Sequence, residues 1–95
     1  MKVKNINGTS ENDCPCRSWL NHWKIFSQQA PGLCAKNNCY NLAEVGAHVQ
    51  QDSNNAWYII PLCRDHNAQR GQTFYIGDGT PLVSANVSET CGQPN

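Results

Sequence analysis

The sequence predicts an α+β fold, with a β-hairpin and a short helix at its centre, an extra helix before them and short strands after. Three observations carry this expectation. The stretch "WYIIPL" at 57–62 is dense in aromatic and β-branched residues, and a weaker strand pattern, "LAEVGAHVQ", precedes it. Cysteines and histidines flank this pair of strands at short spacings, Cys34 with Cys39 before it and Cys63 with His66 after it. The apolar content is thin: Leu, Ile, Val and Phe supply 17 of the 95 residues. A small chain with so little core usually needs cross-links or a metal. Three Trp and three Tyr add bulk, and seven basic residues balance seven acidic ones. The chain therefore reads as one folded domain, 1–95, rather than a charged disordered one.

The elements follow in order. Residues 1–13 are polar, with Gly8, Thr9 and Ser10, and read as a loop or frayed arm. After "CPC" at 14–16, "SWLNHWKIFSQ" reads as a helix with Ser18 as its N-cap. Trp19, Trp23 and Phe26 recur at i, i+4 and i+7, Leu20 widens that face, and "APG" at 30–32 stops the helix. "LCAKNNCYN" is a Cys-rich turn. "LAEVGAHVQ" is a strand with Gly46 as a bulge, and "QDSNNA" turns it into "WYIIPL". "CRDHNAQRG" fits a short helix ended by Gly71. "TFYIG" and "PLVSANV" are two further short strands around the turn "GDGT".

Composition also limits partners and compartment. No apolar run approaches the roughly 20 residues of a membrane span. The start, "MKVKNINGTSEND", has no apolar segment of a secretory signal, so the expected setting is cytoplasmic with reduced thiols. There, spaced Cys and His are more often metal ligands than disulfides. Lys2, Lys4, Arg17, Lys24, Lys36, Arg64 and Arg70 form no basic stripe for phosphate neutralisation, although Arg64 and Arg70 share one segment.

Zinc takes four thiolate or imidazole ligands in a tetrahedron. Cys34 and Cys39, with four residues between them, fit a turn that aims both sulfurs at one point. Cys63 and His66, at i and i+3, lie about one turn apart on one helical face. A helix N-terminus also favours thiolate over thiol. Turn, hairpin and helix pinned by zinc make a treble clef, with its core at about 34–71. The alternative is a set of buried cysteines beside a surface histidine.

The same residues resemble the HNH endonucleases, which are treble clefs of the ββα-metal type. The resemblance rests on "GAHV" with His48, "IIPLC" before the helix and "HN" within it, and covers roughly 34–71. "CPCRSWLNHW" extends the likeness to a group of small bacterial HNH-like proteins. It implies that His48 is the general base activating water against a phosphodiester. It further implies that Asn67 helps hold a second cation, Mg²⁺ or another divalent ion, beside the charge that develops there. Two positions depart from the active pattern. Ala47 stands where active members often carry an acidic ligand, and Tyr58, with Ile59 beside it, stands at the central Asn position. The preferred reading is a zinc-binding HNH-like module with a degenerate site that binds DNA, RNA or protein. A divalent-metal-dependent endonuclease is the alternative.

Four candidate ligands remain: Cys14, Cys16, His22 and Cys91. They make one further tetrahedral set, and with it a second zinc. Free thiols, or a disulfide from Cys91 to Cys14 or Cys16, are the other readings.

Overall fold

Seven elements make up the computed structural model, which describes residues 1–6, 18–51 and 55–86. They are β1 (Lys2–Asn5), α1 (Trp19–Ser27), β2 (Val45–Gln51), β3 (Trp57–Leu62), α2 (Arg64–Asn67), β4 (Thr73–Tyr75) and β5 (Val83–Ser84). The α+β expectation holds, with the hairpin, the short helix after it, the extra helix before it and the short late strands all present. The strands form one antiparallel sheet in the order β4-β1-β2-β3-β5. The β2–β3 hairpin lies at its centre, where its aromatic and β-branched residues meet neighbours on both edges. Among the described residues, no helix is long and apolar enough to cross a membrane.

The sheet separates two cores, and strand parity decides which residue joins which. Ala47 pairs with Ile60, Val49 with Tyr58 and Val45 with Leu62. Opposed residues share a face. On that face Val3, Ala47, Val49, Ile60, Leu62, Phe74 and Ile76 pack with Cys34 and Cys63. The alternate residues, Gly46, His48 and Ile59, point to the other side. There Ile59 packs with Trp19, Trp23 and Val83 under α1.

α1 starts where its cap allows. Ser18 is extended, and its Oγ accepts from the Asn21 N–H at 3.0 Å. The helix ends before "APG", at Gln28 in the left-handed conformation, whose N–H donates to the Lys24 carbonyl. Its buried face is Trp19, His22 and Trp23, while Phe26 is 41% exposed. Trp19 and Trp23 of the expected stripe thus meet the sheet, with His22 in place of Phe26 on the buried face.

Two other expectations are corrected. Residues 2–5 are a strand between β2 and β4, not a loop. Four residues with a polar Asn facing inward give almost no periodic signal, and tertiary pairing overrides it. Residues 7–13 lie outside the described residues. Gly46 is not a bulge, because the β2–β3 register runs unbroken from Val45–Leu62 to Gln50–Trp57.

Candidate metal centre

The site forms where two local structures meet under the sheet. The first is a knuckle. Leu33 and Leu42 make an isolated bridge, the Ala43 N–H donates to the Gly32 carbonyl at 2.9 Å, and the Cys34 N–H donates to the Asn41 carbonyl at 2.8 Å. The Cys39 N–H donates to the Lys36 carbonyl at 3.1 Å, a turn that holds Asn38 at φ 65°. Asn tolerates this left-handed backbone better than most residues. The knuckle is tied to β3 by Ala35 N–H to the Pro61 carbonyl at 2.8 Å. It is tied to β4 by Asn37 N–H to the Tyr75 carbonyl at 2.9 Å.

The second local structure is the end of β3. Cys63 follows Leu62 directly and is the N-cap of α2, with extended backbone. His66 sits one turn on. Cys34 and Cys63 are buried, and Cys39 and His66 are half-buried. All three cysteines are free thiols.

The donor atoms of Cys34, Cys39, Cys63 and His66 all lie within 4.8 Å of one another. His66 Nδ1 is 3.2 Å from the Cys63 sulfur and 3.5 Å from the Cys34 sulfur. Sulfur and nitrogen ligands of a tetrahedral zinc stand roughly 3.5 Å apart, given bonds of about 2.3 and 2.0 Å. The residues therefore fit an ion by spacing and by donor type, and the structure brings the two short-spaced pairs together.

Electrostatics set the two buried thiols apart. Burial pushes the Cys34 thiol up to about 11. Burial acts the same way on Cys63, but hydrogen bonds from the His66 N–H, the Asn41 amide and the Cys34 and Cys39 thiols outweigh it, and its pKa falls. The Asn41 Nδ2 lies 3.9 Å from the Cys63 sulfur. Specific hydrogen bonds thus take the role assigned to a helix dipole, since α2 has only four residues. A bound cation displaces the remaining thiol protons.

His48 and Asn67 are not brought together. His48 is 3% exposed and packs edge-on against Trp19 at 4.6 Å between ring centroids, with Trp57 at 6.3 Å. This is the α1 side of the sheet. The Asn67 carbonyl accepts from the Asn5 amide, and Asn5 pairs with Val49 on the opposite face. The parity of β2 therefore sends His48 away from the cluster. Single-strand spacing could not have settled this, because a slip of one residue reverses it.

Burial, and then the nearby His22, lower the His48 pKa from 6.5 to about 4. The folded chain keeps this imidazole neutral at a pH where the unfolded chain protonates it. The unfolded state then binds more protons, so stability falls as pH drops from 6.5 to about 4 and levels off below that. The whole window is worth about 3 kcal/mol. A His48→Gln variant should show a flatter pH dependence of urea unfolding in this window. Parallel profiles for variant and wild type would exclude His48 as the source.

For the second candidate set, Cys14, Cys16 and Cys91 lie outside the described residues. His22 is fully buried in α1, with Nε2 2.9 Å from the Ser84 carbonyl. A carbonyl only accepts, so this nitrogen carries the proton, and any ligation would fall to Nδ1.

Two residues near the centre gave no signal in the sequence. Asn41 was simply part of a polar turn, and Asn5 part of a polar arm. Each acts on a group distant in the chain. No protein-family model, curated protein or solved structure matches the chain.

Proposed function

We propose that the chain is a zinc-stabilised module of the treble-clef type, whose work is recognition of a nucleic acid or protein partner rather than hydrolysis. The observation that carries it is the convergence of four protein donors, three cysteines and one histidine, within 4.8 Å. A structural zinc takes four protein ligands, whereas a catalytic one keeps a position for water or substrate. When bound, the ion cross-links the knuckle to the start of α2, which supplies stability that the thin apolar content does not.

The HNH resemblance supports the zinc-bearing half of this reading and not the hydrolytic half. A general base must come within hydrogen-bond reach of its water beside the cation. His48 instead faces α1, across the sheet from α2.

Native mass spectrometry of the purified chain should show bound zinc, lost on acidification. A plasmid-nicking assay with Mg²⁺ or Mn²⁺ should give the same background for wild type and His48→Ala. A chain without zinc would remove the reading. Nicking that His48→Ala abolishes would replace it with the endonuclease.

A further inference from the structure

We propose that Asn5 is a positioning residue of the metal centre, and that the first strand is thereby part of that centre. The inference rests on reading Cys34, Cys39, Cys63 and His66 as metal ligands. Asn5 is fully buried at the end of β1. Four of its hydrogen bonds reach the segment that begins with the helix ligand. Its amide Nδ2 donates to the carbonyls of His66 and Asn67, both at 2.9 Å. Its backbone N–H donates to the Gln72 carbonyl and its carbonyl accepts from the Gly71 N–H, both at 2.8 Å.

α2 needs such a clamp. A helix of four residues has almost no cooperativity of its own, and the turn after it adds the Gln69 N–H to the His66 carbonyl at 3.2 Å. Its orientation is therefore set from outside. At the N-terminal end Cys63 is fixed by β3. At the C-terminal end the two N–H groups of one planar amide meet two consecutive carbonyls, which fixes the peptide plane after His66. Rotation of that plane would carry the His66 ring with it. The ring nitrogen stands 3.2 and 3.5 Å from two sulfurs, so a shift of a few tenths of an ångström matters to a tetrahedral ion.

The requirement also explains the residue type. A buried amide is costly to desolvate unless its donors are used. Asp offers acceptors only and would set a negative charge against two carbonyl oxygens. An apolar residue would leave both carbonyls without this donor. Outer partners of this kind orient a ligand that they do not themselves replace.

Cobalt(II) reports the geometry directly through its d–d absorption. The test compares the full-length chain saturated with Co²⁺ as wild type, Asn5→Asp and Val83→Ala. Val83 is buried on the α1 side of the sheet with Trp19, Trp23 and Ile59, in a different core from Cys34 and Cys63. Val83→Ala should keep the wild-type absorption envelope and rate of cobalt release to a chelator. Asn5→Asp should shift the envelope and weaken retention of the ion by about 10- to 100-fold. Where Asn5→Asp does not fold, Asn5→Ser takes its place, since one hydroxyl cannot donate to both carbonyls. Matching spectra and release rates in the Asn5 and Val83 variants, with a metal-bound wild type, overturn the proposal alone. A wild-type chain that takes up no cobalt overturns the metal reading and the proposal with it.

Discussion

A Cys63→Ser variant is expected to purify without its metal and to show no cooperative unfolding transition at room temperature. Cys63 is the donor with the most structural consequences. It ends β3, caps α2, belongs to the larger core and lies 3.2 Å from His66 Nδ1. Serine is close in shape to cysteine but is a poor zinc ligand, so the substitution isolates the loss of the sulfur. Structural zinc contributes on the order of 10 kcal/mol in small domains at neutral pH. A domain of this size has a total stability of only about 5–15 kcal/mol. Losing the ion therefore removes most of the margin.

Circular dichroism during thermal unfolding, run beside metal analysis, checks this result. Chelation of the wild type should reproduce the variant, because both remove the same cross-link. A Cys63→Ser protein that stays folded with its full zinc content would exclude Cys63 as an essential ligand. A Cys39→Ser comparison adds direction. Cys39 is half-buried on the knuckle and outside the sheet, so its loss should release the ion with less damage to β2 and β3.

The metal half-sites were legible in the sequence because their chemistry is local. Cys63 and His66 sit one helical turn apart, and Cys34 and Cys39 share one turn, so spacing alone nearly fixes each pair. Ser18 was legible for the same reason, as a cap acts within three residues. What the sequence did not disclose was nonlocal. Asn5 looks like any polar residue near a terminus until the segment 66–72 is folded onto it. His48 looked catalytic because its neighbours match a family pattern, yet its role depends on which sheet face it occupies. Of the stripe read on α1, Trp19 and Trp23 are buried and Phe26 is not, which packing decides and spacing does not.

Gly46 is the clearest case, and it carries the second large prediction. A Gly46→Val variant should lose about 3 kcal/mol or more, because the added carbons overpack a contact that cannot yield. A Cβ at this position would lie 2.3 Å from the Trp19 carbonyl carbon, 2.4 Å from the Leu20 nitrogen and 2.5 Å from the Trp19 oxygen. All three are backbone atoms, so no rotamer change relieves the overlap and α1 must lift from the sheet. The lift would expose Trp19 and Trp23, now packed with Ile59 and Val83, and red-shift the tryptophan emission. It should not disturb the metal centre, because Gly46 and Pro61 pair on the α1 face while Cys34 and Cys63 lie beneath the other. The informative comparison is therefore Co²⁺-loaded Gly46→Val against Co²⁺-loaded wild type. Tryptophan emission should change while the cobalt spectrum stays as it was. Unchanged stability and emission would mean that α1 does not rest on Gly46. A changed cobalt spectrum would mean that the two faces move together, with the sheet transmitting strain from helix to metal instead of insulating one from the other.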